Sequence, residues 1–229
     1  MKVSAFIPYW LDYQVDISGK HKNLKKLGGK YLINYSIDLL NSIQEIDDVT
    51  VYCSDESLNS YIDQELKYRF VKRDKCLDDK DVSIDTIIKS FLEVNNADVI
   101  ILLHPNSPFL SSNTVSDCLN QVISGKYDSA FTAYSFQKLA WFKSKPLNYA
   151  LNEETPKLKN LDPVIIEESS LYVFTRESFT IHNKRIGNNP YVKCINHFEG
   201  LEVESDEDFE IAELIVNSGM YPKVEYAKI

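Results

Sequence analysis

Three short stretches of this 229-residue chain carry residue types that hold or transfer charged groups. Positions 18–30 read SGKHKNLKKLGGK. They crowd Lys20, Lys22, Lys25, Lys26 and Lys30 into one glycine-punctuated loop of a chain whose formal net charge is −9. Ammonium groups act as point charges for phosphate, and the backbone N–H groups of such a loop add donors, so a polyphosphate is a fitting ligand. A solvated basic loop has the same composition, and the stretch is neither a GxxxxGK[ST] nor a GxGxxG motif. Farther along, Glu202 and Glu204 stand two residues apart, directly before a helix start at Ser205 with Asp208 three positions on. In an extended segment such residues share a face. Magnesium takes one or two carboxylates and completes its shell with phosphate oxygens and water. Two solvent-facing glutamates on an edge would show the same spacing. The third stretch, Leu103-His104-Pro105-Asn106-Ser107-Pro108, follows the strongest strand pattern in the chain and sets His104, Asn106 and Ser107 between two prolines.

The elements around these stretches alternate between strand and helix. Apolar runs at 3–7, 49–53, 68–71, 97–103, 128–133 and 170–175 have strand length, and 97–103 is apolar on both faces. Helical spacing recurs at 31–43, 57–66, 82–94, 112–123 and 205–216. This order predicts a parallel, doubly wound α/β sheet with right-handed crossovers, whose ligands collect at the carboxyl ends of its strands. Gly28 and Gly29 permit a tight turn before the helix at 31. The stretch 134–163 has aromatic residues and prolines but no clear period, which suggests a lid, a hairpin excursion or an oligomer contact within a single domain spanning 1–229.

Composition excludes several classes. With 44% hydrophobic and 26% charged residues the chain reads as globular and can bury a sizeable core. Its acidic balance argues against nucleic-acid binding. Cys53, Cys76, Cys118 and Cys194 form no CxxC pair and no zinc-ligand cluster, so they read as reduced thiols, which points to the cytoplasm. The N-terminal apolar run is too short for a signal peptide and ends at Pro8, and no stretch is long enough to span a bilayer. His21, His182 and His197 show no partner spacing.

The order of the three stretches resembles the acylneuraminate cytidylyltransferase family, the CMP-sugar synthetases for sialic acid, Kdo and related sugar acids. In that family a first strand ends in IPARGGSKG, followed by GKN and a P-L-x-GKPLI helix start. Here Ile7-Pro8 ends the strand, Lys22-Asn23-Leu24 holds the KN position, and Leu27-Gly28-Gly29-Lys30-Tyr31-Leu32-Ile33 is similar to the helix start. The family's IVSTDDEEI looks like the stretch from Thr50 to Leu58, which includes Ser54 and Asp55. LQPTSPLR looks like Leu103 to Leu110, NGAIYIF like Glu168 to Phe174, and SIDIDTEED like Gly200 to Asp208. The departures are specific. Tyr9 and Trp10 stand where the loop has alanine and arginine, His104 replaces glutamine, Leu110 arginine, Glu168 asparagine, and Glu202 and Glu204 replace the two metal-binding aspartates.

The resemblance implies a Rossmann-like, glycosyltransferase-A-like nucleotidyltransferase fold: three layers about a mostly parallel central sheet, with the small excursion at 134–163. It implies transfer of CMP from CTP to a sugar acid with release of pyrophosphate, for surface glycans such as lipopolysaccharide or capsule. Lys22, with Lys20, would neutralise the phosphates. Pro8, Tyr9, Trp10, Asn23, Ser54, Asp55, His104 and Ser107 would border the nucleotide, Glu168 the acceptor, and Glu202 and Glu204 would hold Mg2+. Outside the matched motifs, Ser83 is a further candidate to line the nucleotide, and Arg185 is either a partner for an anionic acceptor group or an exposed surface arginine. It also implies a homodimer joined through the excursion. Two alternatives remain open: a phosphonate or phosphorylated acceptor on the same fold, and a non-catalytic nucleotide-binding relative.

Overall fold

A computed structural model describes residues 1–11 and 24–219. Lys20, Lys22 and Asn23 therefore lie outside the described residues. In chain order the elements are β1 (Val3–Pro8), β2 (Lys26–Leu27), β3 (Lys30–Tyr31), α1 (Leu32–Asn41), β4 (Asp48–Cys53), β5 (Arg69–Lys72), α2 (Ile84–Val94), β6 (Val99–Leu103), α3 (Ser112–Ile123), β7 (Ser129–Phe136), β8 (Trp141–Phe142), β9 (Lys145–Pro146), β10 (Val164–Thr175), α4 (Arg176–His182), β11 (Pro190–Cys194) and α5 (Asp206–Asn217).

Seven strands form one sheet in the order β11-β7-β10-β6-β1-β4-β5. Six run parallel, and β10 lies antiparallel between β6 and β7. The sheet is mostly parallel, as expected, and β10 is the departure from a wholly parallel order. Each side of the sheet has its own core. Val3, Ala5 and Ile7 of β1 and Val99, Ile101 and Leu103 of β6 pack with α1 and α3. Phe6, Ile100 and Leu102 face α2, where the Phe6 and Phe91 rings stack at 4.2 Å. Continuous apolar strands are what a sheet covered on both faces requires.

The helix expected at 57–66 is instead a short 3₁₀ turn, Glu56–Tyr61, capped by Asp55. Its polar side chains take the backbone's place: the Asn59 amide donates to the Glu56 carbonyl and the Ser60 hydroxyl to the Ser57 carbonyl. The strand expected at 170–175 is twice as long, because Val164–Ile166 pairs with Tyr134–Phe136 across a register shift between Glu167 and Tyr172. Within the 134–163 stretch the structure shows a small hairpin, β8–β9, turned by Lys143 and Ser144 at positive φ. Gly28 and Gly29 make the β2–β3 turn, both at positive φ. No helix among the described residues is long and apolar enough to cross a membrane.

Candidate active site

The carboxyl ends of the parallel strands, with the amino-terminal half of β10, define one edge of the sheet, and the singled-out residues among the described ones collect along it. Pro8 ends β1 and is buried. The Tyr9 ring is fully buried in the core between the sheet and α1, and burial holds its phenol well above the usual range, so Tyr9 borders the edge through its backbone only. Trp10 follows at the surface of the edge. Its indole lies over the guanidinium of Arg73, 4.5 Å from ring centre to Cζ.

Arg73 leaves the end of β5 with a fully buried side chain. Its Nε and Nη2 donate to Asp78 Oδ1 at 3.0 and 2.6 Å, and its Nη1 to the Tyr52 carbonyl at 3.0 Å. Ser54, at the end of β4, donates its hydroxyl to the other oxygen of Asp78. Ser54 and Asp55 are thus occupied in the local structure: Asp55 caps the 3₁₀ turn, and the Ser57 backbone N–H it accepts lowers its pKa. Ser83 caps α2 through the Thr86 N–H at 3.2 Å.

Trp10, Asp79, Lys80, Val82, Ile84 and His104 line a cleft of about 230 Å³. His104 is tied to the antiparallel strand by its backbone N–H, which donates to the Ser170 carbonyl at 3.0 Å. Burial of the imidazole, with the charge of Arg185 nearby, pushes its pKa down to about 4, so the ring is neutral at physiological pH. Arg185 spreads its guanidinium on the Tyr172 ring at 4.0 Å, donates to Tyr172 Oη at 3.1 Å and pairs with Glu167 Oε1 at 3.4 Å. The Tyr172 hydroxyl closes this group by donating to Glu167 at 2.5 Å.

Across the same edge, two carboxylates meet. Glu168 sits in the register shift of β10, where Thr132 Oγ1 donates to it at 3.0 Å, Ser170 Oγ at 2.5 Å, and the Ser170 N–H reaches both its oxygens at 3.2 Å. Glu202 comes from the extended segment before α5 and hydrogen-bonds Glu168. Burial, then the charges of Glu168 and Glu204, push the Glu202 pKa up to about 8, and burial raises Glu168 as well. The donors around Glu168 favour its charged form, so the stronger upward push falls on Glu202. Ser169 Oγ adds a hydrogen bond to Glu202 at 3.3 Å.

The segment carrying Glu202 is held by close contacts. Tyr134 donates its hydroxyl to the Gly200 carbonyl, and a Cβ on Gly200 would stand 2.5 Å from that hydroxyl, so glycine is needed there. The Val203 N–H donates to the Asn106 carbonyl at 2.8 Å, which joins the segment to the loop after β6. In that loop Asn106 Oδ1 and Ser107 Oγ are buried without a hydrogen-bond partner. The helix start at Ser205 is a full capping box with Asp208, as the spacing predicts. Glu204 is exposed and influences Glu202 through its charge. Among the described residues no group of three histidines, cysteines or acids is arranged as a metal site.

A family model described as cytidylyltransferase matches residues 20–197, more than three quarters of the chain. The chain belongs to the cytidylyltransferase family. No curated protein sequence matches it. Among solved structures, this cytidylyltransferase is similar to a CMP:2-keto-3-deoxy-manno-octonic acid synthetase complexed with CTP, with a TM-score of 0.68 and 14% identity over 96% of this chain and 100% of that one. It is similar also to a 4-diphosphocytidyl-2C-methyl-D-erythritol synthase from Anaerococcus prevotii, with a TM-score of 0.61 and 13% identity over 94% and 96% of the two chains. The bifunctional IspDF of Campylobacter jejuni gives 0.66 and 11% over 92% of this chain and 54% of that one. At these identities the likeness establishes the fold: an α/β nucleotidyltransferase fold about a mostly parallel sheet.

Sequence reasoning reached Trp10, His104, Arg185, Glu168 and Glu202, which the fold brings to one edge. It missed Arg73, Asp78 and Glu167. The buried arginine carried one signal, its place directly after a strand and five residues before an aspartate.

Proposed function

We propose that this cytidylyltransferase transfers CMP from CTP to a sugar acid of the sialic acid or Kdo type, releasing pyrophosphate. The observation that carries this reading is the convergence, on one strand-end edge, of the Trp10–His104 cleft with the Glu168–Glu202 carboxylate pair, in a member of this family. The acceptor's hydroxyl attacks the α-phosphorus in line and gives up its proton to solvent, and the bond from the α-phosphorus to the oxygen it shares with the β-phosphate breaks as pyrophosphate leaves. Positioning and charge neutralisation supply the rate, with little covalent chemistry asked of the protein. Lys22 and Lys20 neutralise the phosphates. Arg185, fixed by Tyr172 and Glu167, faces an anionic group of the acceptor, and neutral His104 offers both a donor and an acceptor beside it.

Magnesium fits the acidic side of this edge. Burial first, and then the mutual repulsion of the carboxylates, favours a proton on the Glu168–Glu202 pair, and a cation would relieve the same cost. Glu202 would hold the ion with Glu168 or Glu204, and the bound ion would neutralise phosphate charge. Glu202→Gln is expected to raise the magnesium concentration for half-maximal turnover by about tenfold to a hundredfold. A metal titration that matches the parent protein would remove Glu202 from the metal site.

The reaction is tested by pyrophosphate release from CTP with magnesium across a panel of sugar acids, phosphonates and phosphorylated small molecules. Turnover with sugar acids alone supports the reading, and turnover with the other members alone moves the acceptor to those classes. Calorimetric CTP binding without turnover on any member favours a binding protein.

A homodimer joined through the excursion accounts for its exposed apolar side chains, Trp141, Phe142, Leu147, Leu151 and Leu158, and for the adjoining Ile165 and Ile166 at the start of β10. Phe142→Asp is then expected to halve the mass measured by light scattering. A parent protein that is already monomeric at micromolar concentration would exclude the dimer.

A further inference from the structure

Trp10 is the clearest departure from the resembling family at the nucleotide edge, since it occupies the place of the loop arginine. The structure shows what holds the indole in place. Directly behind the indole is the guanidinium of Arg73, whose side chain is fully buried and pinned by Asp78 and the Tyr52 carbonyl. So placed, Arg73 cannot swing out to meet a ligand. It serves as a rigid cationic backing that fixes the plane of the Trp10 ring.

The cleft that Trp10 lines has the chemistry of a slot for one flat heterocycle. It offers an aromatic ring, the branched aliphatic side chains of Val82 and Ile84, and polar groups on Asp79, Lys80 and His104. At about 230 Å³ it is smaller than the roughly 300 Å³ at which sites for drug-sized ligands begin, so it suits a single ring system with the sugar and phosphates outside. Asp79 is an acceptor, Lys80 a donor and neutral His104 both, a set able to read the polar edge of a pyrimidine that carries an amino group and a carbonyl.

We infer that Trp10, held on the buried Arg73–Asp78 pair, is the stacking platform for the nucleobase of the CTP substrate. This rests on the cytidylyl-transfer reading. Base binding energy would come from stacking and triphosphate binding from the lysine loop, so the two contributions separate by mutation.

The test uses the full chain with Trp141→Phe, which leaves Trp10 as the sole tryptophan because the sequence has two. Saturating CTP is expected to quench and shift the Trp10 emission, whereas inorganic tripolyphosphate binds with little change. In calorimetry, Trp10→Ala is expected to weaken CTP binding by about tenfold to a hundredfold, with tripolyphosphate affinity within about twofold of the parent and Trp10→Phe keeping most of the CTP affinity. If CTP binds the Trp141→Phe protein while Trp10 emission stays unchanged, the platform is wrong and the cytidylyl-transfer reading stands. An equal loss of CTP and tripolyphosphate affinity in Trp10→Ala would also overturn it, since Trp10 would then be supporting the loop. Failure of the parent protein to bind CTP at all sinks both readings.

Discussion

Lys22→Ala is expected to lower turnover by about a hundredfold or more, the usual cost of removing a group that stabilises transition-state charge. The neighbouring lysines among the described residues have structural contacts. Lys25 pairs with Asp206 at the start of α5 and lies over the Phe209 ring. Lys26 lies over the Tyr31 ring, and Lys30 pairs with Asp38 at 2.6 Å. These three cations are engaged in holding the β2–β3 hairpin and its surroundings. Within 18–30 it is Lys22, with Lys20, that the family resemblance assigns to the triphosphate, in a chain of net charge −9. Lys25→Ala is the matched control. It removes an equal charge from the same loop but breaks only a partly exposed pair, worth about 1 kcal/mol or less, and a contact with the Phe209 ring, and its turnover should stay close to that of the parent protein. Pyrophosphate release at saturating CTP and acceptor measures both. Equal losses in the two variants would mean that the loop acts through its summed charge, and an active Lys22→Ala protein would take Lys22 out of the site.

Legibility in the sequence depended on range. The α3 boundaries, Ser112–Ile123, follow from local periodicity, and the capping box at Ser205 and Asp208 from a three-residue spacing, so both were readable. The apolar run of β6 announced the sheet centre and therefore the place of His104. What was hidden lies between residues far apart. Nothing local tells that Glu168 and Glu202, 34 residues apart, share a hydrogen bond, because that contact depends on the register shift in β10 and the close approach at Gly200. The antiparallel entry of β10 is equally non-local: strand propensity fixes an extended segment, whereas direction comes from the chain's route between β7 and α4. β11 is an edge strand that starts with Pro190, and α4 has seven residues, both too short to announce themselves. Trp10 and Arg73 are separated by the whole of β4, and their stacking needed the sheet order to be visible.

Asp78→Ala is expected to be the most destabilising single change at this edge. Arg73 has no exposed side-chain surface, and Asp78 supplies its counter-charge through two hydrogen bonds. Breaking a buried pair by removing one partner strands the remaining charge and costs roughly 3–5 kcal/mol. Asp78 keeps 27% side-chain exposure, so water can partly replace it and the lower end, about 3 kcal/mol, is the appropriate figure. At this chain length that corresponds to a melting-temperature drop of roughly 6–12 °C. The double variant Arg73→Met, Asp78→Ala separates charge from packing. With no stranded guanidinium, it should recover much of the lost stability, while the Ser54 hydroxyl still lacks its acceptor. Thermal and urea unfolding of the four proteins of this cycle give the coupling energy directly. Additive losses would mean that the pair contributes through its separate contacts with Tyr52 and Ser54. A strong coupling with restored stability but weakened CTP binding in the double variant would show that the pair is kept for the cleft it backs, since a hydrophobic replacement suffices to hold the fold.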